Sequence, residues 1–168
     1  MKWITHEAVA VGVAWLLGMP LAGLAGVFAG SILPDVLDQG VARLLVFRQL
    51  AFNKLHRGPT HWFGWWLALF VAVFLQTGCS FSAGESMTLF ALGLGFGALA
   101  HVALDMCTQT GVPVAPWSKK NMMSLKLCAT GSLTEYAFLA TFVLVFSVVA
   151  REDLMRLLAE AKRLSPFN

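Results

Sequence analysis

Long apolar runs separated by short polar clusters organise this chain. Three stretches, Trp62 to Ala83, Ser86 to Leu104 and Leu127 to Ala150, contain between them one charged residue, Glu135, and one histidine, His101. Each is long enough as a helix to cross a hydrocarbon core of roughly 30 Å, and they predict transmembrane helices over 62–83, 86–106 and 131–150. A fourth apolar run, Ala8 to Leu33, would measure about 39 Å as one helix, but 18-GMP-20 lies in its middle. Proline interrupts a helix and glycine permits the turn before it. The pattern therefore predicts a helical hairpin over 8–33, with limbs of about 15 and 21 Å, each too short to cross alone. With only Lys2 before it and no small-residue cleavage site after it, this run does not read as a cleavable signal peptide. Between it and the next span, 36–55 intersperses apolar side chains with Arg43, Arg48 and Lys54, the pattern of an amphipathic helix lying in the interface.

Composition agrees with the pattern. Hydrophobic residues make up 58% of the 168 and charged residues 12%, and the mean hydropathy is +0.72, outside the range of soluble domains. No repeat or Gly/Ser linker divides the chain. The expectation is one all-α, integral-membrane domain over 1–168: a helical hairpin, three transmembrane helices and an interfacial amphipathic helix. The net charge of +3 comes without a dense basic stripe, which suits a membrane surface and gives no reason to expect direct nucleic-acid binding. Cys79, Cys107 and Cys128 are odd in number and lack CxxC spacing, so they read as ordinary buried residues.

The polar clusters are 5-THE-7, 33-LPDVLD-38, 56-HRGPTH-61 and 101-HVALD-105, and they contain every histidine in the chain. If 8–33 is a hairpin, His6, Asp35, His56, His61, His101 and Asp105 all reach one membrane face, whereas a single crossing would strand His6 opposite Asp35. Lys2, Arg43, Arg48, Lys54, Arg57, Lys119, Lys120 and Lys126 lie on that face, and the turn from Gln76 to Glu85 has no Lys or Arg. The positive-inside rule then turns the face toward the cytoplasm. The tail with Arg151, Arg156, Lys162 and Arg163 would emerge opposite, which weighs against this orientation without reversing it.

His101 and Asp105, four apart, stack on one helix face, a spacing that suits two ligands of one ion. Asp35 and Asp38 share a face if Pro34 opens a helix there. Imidazole with carboxylate suits zinc, manganese or ferrous iron. Ionisable groups within a span, here His101 and Glu135, are costly and usually functional. The bland reading is a buried polar network that only fixes helix packing.

In order, Thr-His near the start, Leu-Pro-Asp-x-x-Asp, His-Arg-Gly-x-Thr-His, His-x-x-x-Asp, Thr-x-x-Gly-Val-Pro and Pro-Trp-Ser resemble the YdjM-like family from Thr5 to Ser118. That family is described as inner-membrane metal-dependent hydrolases, one branch as LexA-binding. It is in turn distantly similar to zinc-dependent phospholipases C and related single-strand nucleases. That similarity implies a central zinc on Asp35, His61, His101 and Asp105. The chain departs from those enzymes at their later HxxxE, where Gly131 stands four before Glu135, and Trp3 is not at the amino terminus. A second ion would fall to His6, His56 or Asp38 with help from Glu135.

The function expected is a membrane-bound hydrolase in the bacterial inner membrane, multi-pass, cleaving a phosphoester of a phospholipid or lipid-linked substrate with a metal-activated water. Asp38 or Glu135 would serve as general base. Arg57 would contact phosphate or snorkel to the headgroups, and Thr60 would orient His61 or a carboxylate ligand. The segment 107–128, with its prolines, Trp117 and lysines, reads as a lid or a membrane-surface anchor. The rival expectation is a membrane-tethered protein that recruits a LexA-like regulator and uses its metal for structure. A proton-coupled or metal transporter ranks last, because the opposite face offers only Glu85.

Overall fold

The computed structural model describes residues 1–44 and 57–164. Helix α1 (Trp3–Leu16) turns at residues 17–20 into α2 (Leu21–Arg43). The turn forms where the GMP signal predicted it. Gly18 adopts φ +73°, Met19 N–H donates to Ala14 O at 3.1 Å, and Pro20 stands just ahead of α2.

The second limb corrects the sequence expectation. It does not stop at Leu33 but runs 23 residues to Arg43 with Pro34 in its interior, so Pro34 does not open a helix. Residues 36–43 of the expected interfacial helix are the end of α2, and the rest of that helix, 45–55, lies outside the described residues, as does His56. At about 34 Å, α2 is long and apolar enough to cross a membrane by itself.

A short 3-10 turn (Pro59–His61) precedes α3 (Phe63–Gln76), which is followed by α4 (Ser86–Met106). Helix α4 is the second long enough to cross. Helix α3 is shorter than the apolar run that encodes it, because that run ends in turn chemistry rather than charge. The Thr77 hydroxyl donates to Phe74 O and Ser80 O, and Gly78, Cys79 and Gly84 take positive φ. Cys79 is exposed there and Cys128 is buried, so the cysteines are not uniformly interior.

The all-α expectation also needs amending, because β1 (Val112–Ala115) and β2 (Ser118–Met123) form an antiparallel hairpin. Gly111, at φ +69°, lets the chain enter it so close to β2 that a Cβ would lie 2.2 Å from Met123 O. The Trp62 indole N–H ties the hairpin to the start of α3 through Val114 O at 3.0 Å. Helix α5 (Leu133–Val149) and the charged α6 (Arg151–Leu164) complete the described residues. Leu144, Val148 and Val149 on α5 are each more than 60% exposed, a surface suited to hydrocarbon.

Close packing of α2 on α4 sets the frame. A Cβ on Gly26 or Gly30 would lie 2.0 or 2.2 Å from the carbonyl oxygen of Phe90 or Leu94, and one on Gly93 or Gly97 would meet Gly23 O or Val27 O at the same distances. Both contact series rise together in number, so α2 and α4 run parallel, backbone on backbone, through paired GxxxG faces. Gly30→Ala or Gly97→Ala will force the helices apart and cost about 2–3 kcal/mol. Unfolding of the detergent-solubilised protein measures this, with Gly40→Ala, where a Cβ meets nothing within 4 Å, as the control that should lose no stability.

Helix α3 packs antiparallel on α4. Trp66 meets Ala98 and Val102, Phe70 meets Gly95, and Val73 joins Leu92. Gly12 of α1 faces Phe142 and Phe146 of α5. These directions bring the start of α1, the last turns of α2 and α4 and the turn before α3 to one end of the bundle.

Candidate metal centre

Six residues expected in the site meet at that end. His6, His61 and His101 are 0% exposed, Asp38 and Asp105 2%, and Asp35 7%. Local structure places several of them. The Pro59–His61 turn aims His61 inward, and the spacing of four puts His101 and Asp105 on one face of α4. Pro34 perturbs the turn of α2 before it, and in that turn Ser31 O lies 2.6 Å from His101 Nδ1. A ring N–H donated to that carbonyl leaves Nε2 with its lone pair toward the centre, the usual orientation of a metal-ligating histidine.

The separations at the centre are short. His61 Nε2 stands 3.3 Å from Asp35 Oδ1, 3.3 Å from His101 Nε2 and 3.8 Å from Asp105 Oδ2. His101 Nε2 stands 3.8 Å from Asp35 Oδ1 and 3.9 Å from Asp105 Oδ2. Ligand atoms on a tetrahedral zinc with bonds of about 2.0–2.1 Å stand about 3.4 Å from one another. Little movement would bring Asp35, His61 and His101 onto one ion, with Asp105 adjoining through His61 and His101.

Two groups have donor atoms close enough to hold a metal: Asp35, His61 and His101, and His6, His101 and Asp105. They share His101, whose single inward nitrogen serves one ion. His6 stacks on His101 with ring centroids 3.9 Å apart, and its Nε2 is 3.4 Å from Asp105 Oδ1. His6 Nδ1 has no hydrogen-bond partner among the described residues. A buried imidazole left this way is consistent with a ligand-binding centre.

Partners fix the donors from behind. Asp38 Oδ2 lies 3.4 Å from His61 Nδ1 and accepts the Arg57 N–H at 3.1 Å, while Asp38 Oδ1 accepts the Thr60 hydroxyl. Burial lowers the basicity of His61, but hydrogen bonding to Asp35 and Asp38 outweighs it and holds the imidazole above the ordinary histidine value. The Trp3 indole N–H donates to Asp35 Oδ2 at 2.7 Å. Asp105 Oδ1 accepts from Arg57 Nη2 at 3.0 Å and from the Met1 amino group at 2.7 Å.

Arg57 does not snorkel. It is 8% exposed, and its guanidinium also donates to the hydroxyls of Thr108, at 2.7 Å, and Thr110. Its backbone sits at φ +56°, a conformation that non-glycine residues rarely adopt. Glu135 is held at the edge of the cluster instead of within it. Oε1 accepts from Lys2 N–H at 2.6 Å and the Thr5 hydroxyl at 2.8 Å, and Oε2 accepts from Gly131 N–H at 2.5 Å. It joins α5 to the start of α1.

Sequence reasoning missed Ser31 and Trp3. Ser31 acts through its backbone, which leaves no side-chain signal. Trp3 enters the sequence reading only as a residue that does not match the amino-terminal tryptophan of the phospholipases C, not as a partner of Asp35.

The sequence model of the YdjM inner membrane protein family matches residues 1–160. No curated protein and no solved structure matches the chain.

Proposed function

The chain belongs to the YdjM inner membrane protein family, and from that membership and the centre's geometry we propose that it is a membrane-bound, metal-dependent hydrolase of phosphoesters. The observation that carries this reading is the approach of His61 Nε2 and His101 Nε2 to two buried carboxylates at 3.3–3.9 Å. Asp35, His61, His101 and Asp105 would hold one divalent ion, zinc first, with manganese or ferrous iron as alternatives. Such an ion supplies a water activated near neutral pH and a positive charge for a phosphoryl oxygen.

The chain's own residues orient and balance that centre. Asp38 stands behind His61 and steadies its ring, a role its position favours over that of general base. Glu135, with both oxygens engaged, is set aside as a base. Arg57 balances Asp105 and is a cation that an incoming phosphate would meet at the centre. A centre at the bundle end suits a phospholipid or lipid-linked substrate. The exposed Lys2, Arg43, Lys120 and Lys126 at that end favour a cytoplasmic orientation in a multi-pass arrangement.

Protein purified in detergent is expected to contain zinc and to release product from members of a phospholipid and phosphodiester panel, with loss of turnover on chelation. A fully metal-loaded protein inert on the whole panel, together with a His101→Ala variant indistinguishable from the parent in cells, would overturn the reading.

The near-complete burial of the donors favours a second reading, a membrane-tethered recruitment protein for a LexA-like regulator with a structural ion. X-ray absorption separates the two. An open, water-bearing position supports hydrolysis, and four protein ligands with no water support a structural site.

A further inference from the structure

Asp35 differs from the other three donors in what holds it. His101 is oriented by Ser31 O, His61 by Asp38 and Thr60, and Asp105 by Arg57. Asp35 Oδ2 receives the Trp3 indole N–H at 2.7 Å, a neutral side-chain donor where Asp105 has a guanidinium. The contact divides the carboxylate: Oδ2 is tied to the indole, while Oδ1 faces His61 at 3.3 Å and His101 at 3.8 Å.

We propose that Trp3 is a positioning residue for the metal centre, its indole N–H holding Asp35 so that one oxygen alone is presented to the ion. The inference rests on the metal reading of the centre given above. Trp3 is 41% exposed, so packing alone does not account for its placement. Its ring leans outward from the start of α1 while its single polar atom reaches a carboxylate that is nearly buried. A neutral donor on one oxygen fixes the carboxylate's rotation without competing for the other, and partners of this kind typically change metal affinity by about 10–100-fold when removed. Because Trp3 and His6 occupy successive turns of α1, with His6 stacked on His101 and 3.4 Å from Asp105 Oδ1, this helix start contacts three of the four donors. The proposal makes it part of the centre's scaffold.

Trp3→Phe keeps an aromatic ring and deletes the N–H. In the full chain purified in detergent, zinc affinity by chelator competition is expected to fall about 10–100-fold. The visible spectrum of the cobalt-loaded protein should change with it, while the metal-free protein unfolds at the parent's temperature. Parental affinity and an unaltered cobalt spectrum in Trp3→Phe would remove the positioning role and leave the metal reading standing. Weaker affinity with an unaltered spectrum and a lowered metal-free unfolding temperature would show mere structural support and also overturn it. A parent chain that takes up neither zinc nor cobalt would overturn the metal reading, and the positioning role with it.

Discussion

Asp35→Asn and Asp105→Asn will each purify without the ion, zinc content falling from about one per chain to background. Both substitutions keep side-chain volume and remove the charged oxygen that faces His61 and His101. Each aspartate supplies one of the two anionic donors, and the two histidines left with a single carboxylate compete poorly with a chelator. Two further variants make the expectation sharper. Glu135→Gln should retain the ion, since that carboxylate spends its oxygens on Lys2, Thr5 and Gly131. His6→Ala should also retain it, because His101 offers one inward nitrogen and the shorter contacts lie toward Asp35 and His61. Elemental analysis of the four proteins tests this four-donor set, and loss of zinc in Asp105→Asn and His6→Ala alone would instead assign the ion to His6, His101 and Asp105. Retention of zinc in both aspartate variants would sink the assignment.

How much of this was legible beforehand differs from residue to residue. The meeting of His6, Asp35, His61, His101 and Asp105 followed from alternation: each apolar run reverses direction, so polar clusters at matching ends share a face. The HxxxD spacing and the GMP turn are local signals and needed no tertiary knowledge. Pro34 misled because proline is favoured at a helix start, yet here it is tolerated inside α2. The extent of α3 misled for a different reason, since Ser and Gly end a helix without adding the charges that a hydropathy reading registers. The parallel pairing of α2 and α4 is visible only afterwards, as two GxxxG stretches whose partner sequence alone does not name. Arg57 could be placed at the site from 56-HRGPTH-61, but not its direction. That depends on Thr108 and Thr110, which the turn after α4 delivers.

That inward direction produces the second large effect. Arg57→Ala will destabilise the metal-free protein by about 3 kcal/mol, as expected when a buried ion pair loses one partner. Asp105, 2% exposed, would keep its charge while losing the guanidinium at 3.0 Å. The Met1 amino group at 2.7 Å remains, which sets the expectation near the lower end of the range for such pairs. Arg57→Gly should be less damaging than Arg57→Ala by about 1 kcal/mol, because glycine adopts φ +56° without the penalty a Cβ incurs. Adding Asp105→Asn to Arg57→Ala should recover part of the loss, since the charge that needed compensation is gone. Zinc should also narrow the gap between Arg57→Ala and parent, because a cation at Asp105 Oδ2 offsets the same carboxylate from its other side. Chemical unfolding in detergent, with and without chelator, measures all four. If Arg57→Ala and Arg57→Gly unfold like the parent in the metal-free state, the guanidinium is not balancing Asp105. Arg57 would then be a cation whose charge the fold does not need.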